Sequence, residues 1–171
     1  SLDANIDYYF ISNALDEIDN YYDNNPDSLN LVFDIHVQDT TYFENNISIQ
    51  FPVKLICEVE KQCIIDGEGK QVIIIEELGN SSFSLDTSNV IISGFTIQNG
   101  IGKYIWDGNQ ELRFGGGILC EYASPVLEDL IIQDNWVVAT GYGAGIHLRY
   151  WSSPEVNNVI IQRGNLTGNS D

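Results

Sequence analysis

The residues of this chain that could do chemistry are mostly flat rings. Tyr122 and Tyr150 stand 28 residues apart, and Trp151 follows the second. Tyr104, Trp106 and Phe114 fall within residues 101–114, and Trp136 and Tyr142 fall in a later stretch. Exposed rings in rows suit the apolar faces of sugars, and they also suit protein partners; packed on one another they would only cover turns. The candidate ligand-binding surface is therefore Tyr104, Trp106, Tyr122, Trp136, Tyr142, Tyr150 and Trp151.

The titratable groups offer less. Cys57, Cys63 and Cys120 are an odd count, so a fully paired set within the chain is excluded. No CxxC occurs, and His36 and His147 lie far from the cysteines, which argues against structural zinc. Cys57 and Cys63 are close enough for a short-loop disulfide; two small buried hydrophobes are the open alternative. Asp66-Gly67-Glu68-Gly69 lacks the ligand spacing of an EF-hand and reads as a turn. His36 and His147 alternate with apolar neighbours and should point outward into solvent. No Ser-His-Asp spacing is present, and no catalytic residue is assigned. No motif requires a cofactor and no metal ligands are assigned; calcium is the candidate ion that so acidic a chain suggests.

Composition narrows the partners. Twenty-five acids face 7 Lys and Arg, a net charge of −18. Such a chain repels phosphate backbones and anionic membranes, which excludes nucleic acid as an expected partner. No run reaches the roughly 18 apolar residues of a membrane helix. The chain begins at Ser1, contains no Met and shows no signal peptide, as a mature or trimmed fragment would.

The elements that position these side chains follow from an internal repeat. Ser124-Pro125-Val126-Leu127-Glu128-Asp129-Leu130-Ile131-Ile132-Gln133 aligns with Ser153-Pro154-Glu155-Val156-Asn157-Asn158-Val159-Ile160-Ile161-Gln162. Upstream, Gly115-Gly116-Gly117-Ile118 aligns with Gly143-Ala144-Gly145-Ile146, and Asn89–Gln98 is a third copy with extra residues in the loop before Gly115. The repeats are β-branched and Gly-rich, which disfavours two-helix units and predicts short parallel strands stacked coil on coil. Ile118/Ile146, Leu127/Val156, Leu130/Val159 and Ile132/Ile161 should stack inside, with Cys120 inert at a core position beside Leu148. Before the repeats, Ile11, Ala14, Leu15, Ile18 and Tyr22 mark one face of a helix over 11–22.

Gly94-Phe95-Thr96-Ile97-Gln98-Asn99-Gly100, the Gly-Gly-Gly-Ile segment and Ser-Pro-x-x resemble repeats of the right-handed parallel β-helix, the pectin-lyase-like superfold, including surface proteins of the polymorphic outer-membrane type. Thr41-Tyr42-Phe43-Glu44-Asn45-Asn46-Ile47 is similar to a motif that follows the capping helix in such proteins, without its Gly and with one extra Asn. The resemblance implies an all-β solenoid: one domain over 1–171, with a capping helix at 11–22 and coils over 31–171, as the amino-terminal part of a longer solenoid. It also implies a secreted or cell-surface location. It does not fix function, because this fold hosts many activities.

In such enzymes, acids meet on one face. The aligned columns here read Ser93/Glu128/Asn157, Gly94/Asp129/Asn158, Asn99/Asp134/Arg163 and Glu121/Arg149, so no column is expected to hold two carboxylates. Arg149 and Arg163 should form ion pairs with Glu121 and Asp134. Asp107 and Glu111 lie off-register in a loop. The sequence therefore predicts a surface module without catalysis in this segment, serving adhesion, glycan binding or surface architecture, with a polysaccharide, surface glycan or protein as partner. The alternative is the amino-terminal part of a polysaccharide lyase or glycoside hydrolase whose site lies in later coils. With no cap after the third copy, self-association through the last coil is also expected. Asn-x-Ser/Thr sequons stand at Asn46, Asn80 and Asn165.

Overall fold

In the computed structural model, residues 8–25, 28, 31–76, 89–138 and 140–167 are described. The chain winds through three main parallel sheets, to each of which the first four coils contribute one strand. The first coil is β1 (Phe33–Val37), β2 (Thr41–Phe43) and β3 (Ile47–Ile49), and the second is β4 (Val53–Cys57), β5 (Cys63–Asp66) and β6 (Ile73–Glu76). The third runs β7 (Ile91–Ser93), β8 (Phe95–Gln98), a hairpin of β9 (Lys103–Trp106) and β10 (Glu111–Phe114), then β11 (Ile118–Glu121). The fourth is β12 (Val126–Glu128), β13 (Ile131–Gln133), β14 (Trp136–Val138) and β15 (Ile146–Arg149); β16 (Glu155–Asn157), β17 (Ile160–Gln162) and β18 (Asn165–Thr167) follow. The order β1-β4-β7-β12-β16, with its two companion sheets, is that of an all-β, β-helix-like solenoid.

The registers agree with the repeat. Leu127 pairs with Val156, Ile132 with Ile161, Ile118 with Ile146 and Cys120 with Leu148. Alternation decides which side chains enter the core: Ile47, Ile49, Ile73, Ile75, Ile118, Cys120, Leu127, Leu130 and Ile132 are completely buried. Each buried aliphatic of this size contributes about 1.5–3 kcal/mol.

The corners are left-handed, and they recur in the same columns. Gly94, Asp129 and Asn158 share one such corner, and Asn99, Asp134 and Arg163 share another, all at positive φ. Gly, Asn and Asp reach this region at low cost, which is why the corners are written in those residues. Arg163 also sits there, at φ 50, with its guanidinium on the Asp134 carboxylate of the preceding coil.

Helix α1 (Ile11–Asn24) buries Ile11, Ala14, Leu15, Ile18 and Tyr22, the stripe that periodicity predicts. It joins the core cluster beside Ile47, Ile49 and Phe51 and so covers the first coil. Phe10 at its start supplies no side-chain cap. The carboxylate of Glu44, from the turn after β2, accepts hydrogen bonds from Ile11 N (2.7 Å) and Ser12 N (2.9 Å) instead. An anion at the helix amino terminus satisfies orphan donors and opposes the macrodipole, so the cap is fastened to the coil by chemistry as well as by apolar area.

Two readings of the sequence are refined. Residues 101–114, taken as a loop, contain the antiparallel pair β9–β10, closed by a turn in which Asp107 Oδ1 accepts from Asn109 N and Gln110 N at 2.9 Å each. Cys57 and Cys63 are bridged, and Cys120 is the free, buried thiol, which burial pushes up to about 12.

Candidate functional site

The sheet β3–β6–β11–β15 turns its outer face toward the hairpin, and that face carries the chemistry. Its strands place Glu76, Glu121 and Arg149 along one row, since Glu121 is in register with Glu76 on one side and Arg149 on the other, and Gln50, just after β3, meets Glu76 at the end of that row. The row therefore holds two carboxylates, which corrects the expectation that no column would. The register between β6 and β11 spans 45 residues (Ile73 to Ile118), outside the 28–35 spacing of the visible repeats.

These acids are not free. Lys103 of the hairpin reaches Glu121 at 2.5 Å and Glu76 at 3.5 Å, Gln50 Nε2 donates to Glu76 at 2.8 Å, and Arg149 Nη1 donates to Glu121 at 2.9 Å. Burial pulls the Lys103 ammonium down, but the hydrogen bond and charge of Glu121, aided by Glu76, outweigh it and leave the group raised. The Glu121–Arg149 pair stands where the repeat predicts it. So does the Asp134–Arg163 pair at 2.6 Å, in which the Arg163 hydrogen bond holds the Asp134 carboxyl below its ordinary value.

Rings close around Arg149. Its guanidinium carbon lies 4.2 Å from the Phe114 centroid and 4.5 Å from that of Tyr150, and Nη2 donates to the Tyr150 hydroxyl. Tyr150 stacks on Tyr122 with centroids 4.6 Å apart and planes 12° from parallel, and Trp151 stands 6.1 Å from Tyr122. Tyr122, Tyr150 and Trp151 all sit at positive φ (53, 53 and 62), a region that bulky residues enter at a cost of about 1–2 kcal/mol each. The backbone thus carries three partly exposed rings at one corner, and Trp151 remains 91% exposed.

On the other side of Arg149, Phe114 stacks on Tyr142 at 5.4 Å, and His147 lies against both rings. His147 points out of the core as alternation requires, but the rings half-cover it. Its imidazole is not simply solvated: burial first, then the Arg149 charge, lowers its pKa, with Glu121 opposing. His36 is exposed.

The seven proposed ring residues therefore divide. Tyr122, Tyr150 and Trp151 form one cluster, and Tyr142 joins it through Phe114 and Arg149. Tyr104 lies on the hairpin under Arg113, with the guanidinium 5.1 Å from its ring. Trp106 and Trp136 are exposed and have no ring partner among the described residues. All seven are at least partly open to solvent.

The remaining candidates are occupied. Asp66 is nearly buried and accepts from Glu68 N, Gln98 Nε2 and Asn99 Nδ2, so the Asp-Gly-Glu-Gly segment is an Asx turn. Gln133 donates to Gln98 and Gln162 donates to Gln133, extending from Asp66 a one-directional amide row along the coils. Glu111 pairs with Arg113 at 2.7 Å. Asn46 and Asn165 are exposed, and Asn80 lies outside the described residues.

Together these features define a solenoid with an aromatic corner beside a neutralised ion row. No family model matches the chain, and no curated protein or solved structure matches it.

Proposed function

We propose that this chain is a module of a secreted or cell-surface parallel β-helix of the pectin-lyase-like type, wound right-handed, that binds and does not cut. Its roles are adhesion, glycan binding or surface architecture. The near-universal right hand of parallel crossovers supports the handedness. The Cys57–Cys63 disulfide supports an oxidising, extracellular destination. The single observation that carries the binding role is the Tyr122–Tyr150–Trp151 cluster: rings fixed by left-handed backbone, one almost fully exposed, with a clamped guanidinium at their edge. A glycan array probed with residues 1–171, with and without calcium, tests it; retention lost in Trp151→Ala is the expected result, and wild-type silence across the array opposes it.

A second reading has one observation in its favour. The Glu76–Lys103–Glu121 row brings two carboxylates together around an ammonium, an acid cluster of the kind that a polysaccharide lyase or glycoside hydrolase uses, here within this segment and not in later coils. Release of unsaturated or reducing sugars, abolished by Glu121→Gln, would establish it over the binding role.

A further partner surface is the final coil, where Leu148, Val156, Ile160 and Ile161 are all exposed to 44% or more. In earlier coils the residues in register with Leu148, Val156 and Ile161 are buried completely. Cover of that face by further coils of a longer solenoid, by a second copy or by another protein is proposed there.

A further inference from the structure

We infer that the aromatic corner takes an uncharged glycan and discriminates against uronic-acid polymers. This rests on the binding role proposed above and adds the ligand's chemical class.

A polyuronate is held by basic side chains whose charge is available to its carboxylates. Here six of the seven basic residues are already in ion pairs: Lys54 with Asp34, Lys61 with Glu60, Lys103 with Glu121, Arg113 with Glu111, Arg149 with Glu121 and Arg163 with Asp134. The seventh, Lys70, lies in the turn after Gly69, away from the rings in sequence and on a different strand connection. The net charge of −18 adds a repulsive field for any polyanion.

Arg149 is the one cation within the corner, and it is committed three times over. Glu121 takes one nitrogen, the Tyr150 hydroxyl takes another, and Phe114 and Tyr150 each offer a ring to its carbon. An incoming carboxylate would have to displace Glu121, itself only 7% exposed. What the corner does offer is neutral. Trp151 presents an open face and Tyr122 carries a hydroxyl with no hydrogen-bond partner among the described residues, while Ser152 Oγ is used within the corner, accepting from Ala123 N and donating to Arg149 O. Apolar ring face plus uncharged donors and acceptors is the complement of a pyranose, whose C–H face stacks and whose rim hydroxyls hydrogen-bond.

A matched pair of probes isolates the claim: a soluble neutral glucan, and the same glucan oxidised at C6 to the uronate. Affinity electrophoresis of residues 1–171 through each, at low and high salt, reads both terms. The expected result is retardation by the neutral polymer that hardly changes with salt, falling about tenfold in Trp151→Ala, and weaker retardation by the uronate that improves as salt screens the repulsion. Equal or tighter retardation by the uronate, weakening with salt, would overturn the inference while leaving a glycan-binding role intact. No retardation by either polymer would overturn the inference together with the glycan form of the role. Trp151→Phe, which keeps a flat ring, should retain most of the binding; its loss along with Trp151→Ala would show that the corner had collapsed, so its hydrogen exchange is measured in parallel.

Discussion

Glu121 accepts from Arg149 one coil away at 2.9 Å, while Lys103 approaches the same carboxylate from the hairpin at 2.5 Å. One nearly buried anion thus ties together two successive coils and the antiparallel hairpin β9–β10 that interrupts them. Removing it leaves partly covered Arg149 without its carboxylate and Lys103 with Glu76 alone, at 3.5 Å. Glu121→Ala should destabilise the fold by about 1–2 kcal/mol, less than a fully buried pair would cost because both cations retain some water. Urea unfolding measures this; a change within error would mean that the hairpin is held by its apolar contacts alone.

Thiol chemistry should report the core directly. Cys120 is completely buried and its ionisation is pushed up to about 12 by desolvation, while Cys57 and Cys63 are bridged. The native protein should give no reaction with a thiol reagent at neutral pH, and the unfolded, unreduced protein should give one thiol per chain. Reaction in the native state would place Cys120 outside the core.

The helix cap is a second anchored anion. Glu44→Ala removes both acceptors at Ile11 N and Ser12 N and should cost about 1–2 kcal/mol, with faster hydrogen exchange in residues 11–15 than in the strands. Uniform protection of the helix in the variant would show that burial of Leu15 and Ile18 is sufficient on its own.

His147 sets a pH dependence. Its folded pKa lies below the ordinary 6.5, so between those two values the unfolded chain binds the extra proton and stability falls as pH falls. The contribution is fully present above pH 6.5 and is lost on acidification through the folded value. His147→Phe should flatten that segment of the stability curve and keep the stack on Phe114 and Tyr142. An unchanged slope would assign the dependence to other groups.

Much of this was legible in the sequence, for physical reasons. Ile11, Ala14, Leu15, Ile18 and Tyr22 announce a helix because one period governs both pattern and burial. The copies at Asn89, Ser124 and Ser153 fix register because stacked coils repeat the same inward residues, and the Glu121–Arg149 and Asp134–Arg163 pairs follow from that register. Glu76 escaped because 45 residues separate it from Glu121, and the insertion hides the repeat. Residues 103–114 escaped because an inserted hairpin has no counterpart in the other coils. Glu44 capping Ile11 is a contact across 33 residues that no local signal carries. The positive φ of Tyr122, Tyr150 and Trp151 is imposed by the corner against residue preference, so ring types alone could suggest the surface but not its geometry.

The central claim is that Trp151 is a binding surface, and its own fluorescence tests it most directly. The chain has three tryptophans, so Trp106→Phe with Trp136→Phe leaves Trp151 as the single reporter. Titration of that variant with a soluble neutral glucan should shift Trp151 emission to shorter wavelength, saturably and with little salt dependence, as the exposed indole loses water. An emission spectrum that stays at the solvent-exposed position through the titration, while the unmodified chain is still retarded by the same polymer, would contradict the account and place the binding surface elsewhere.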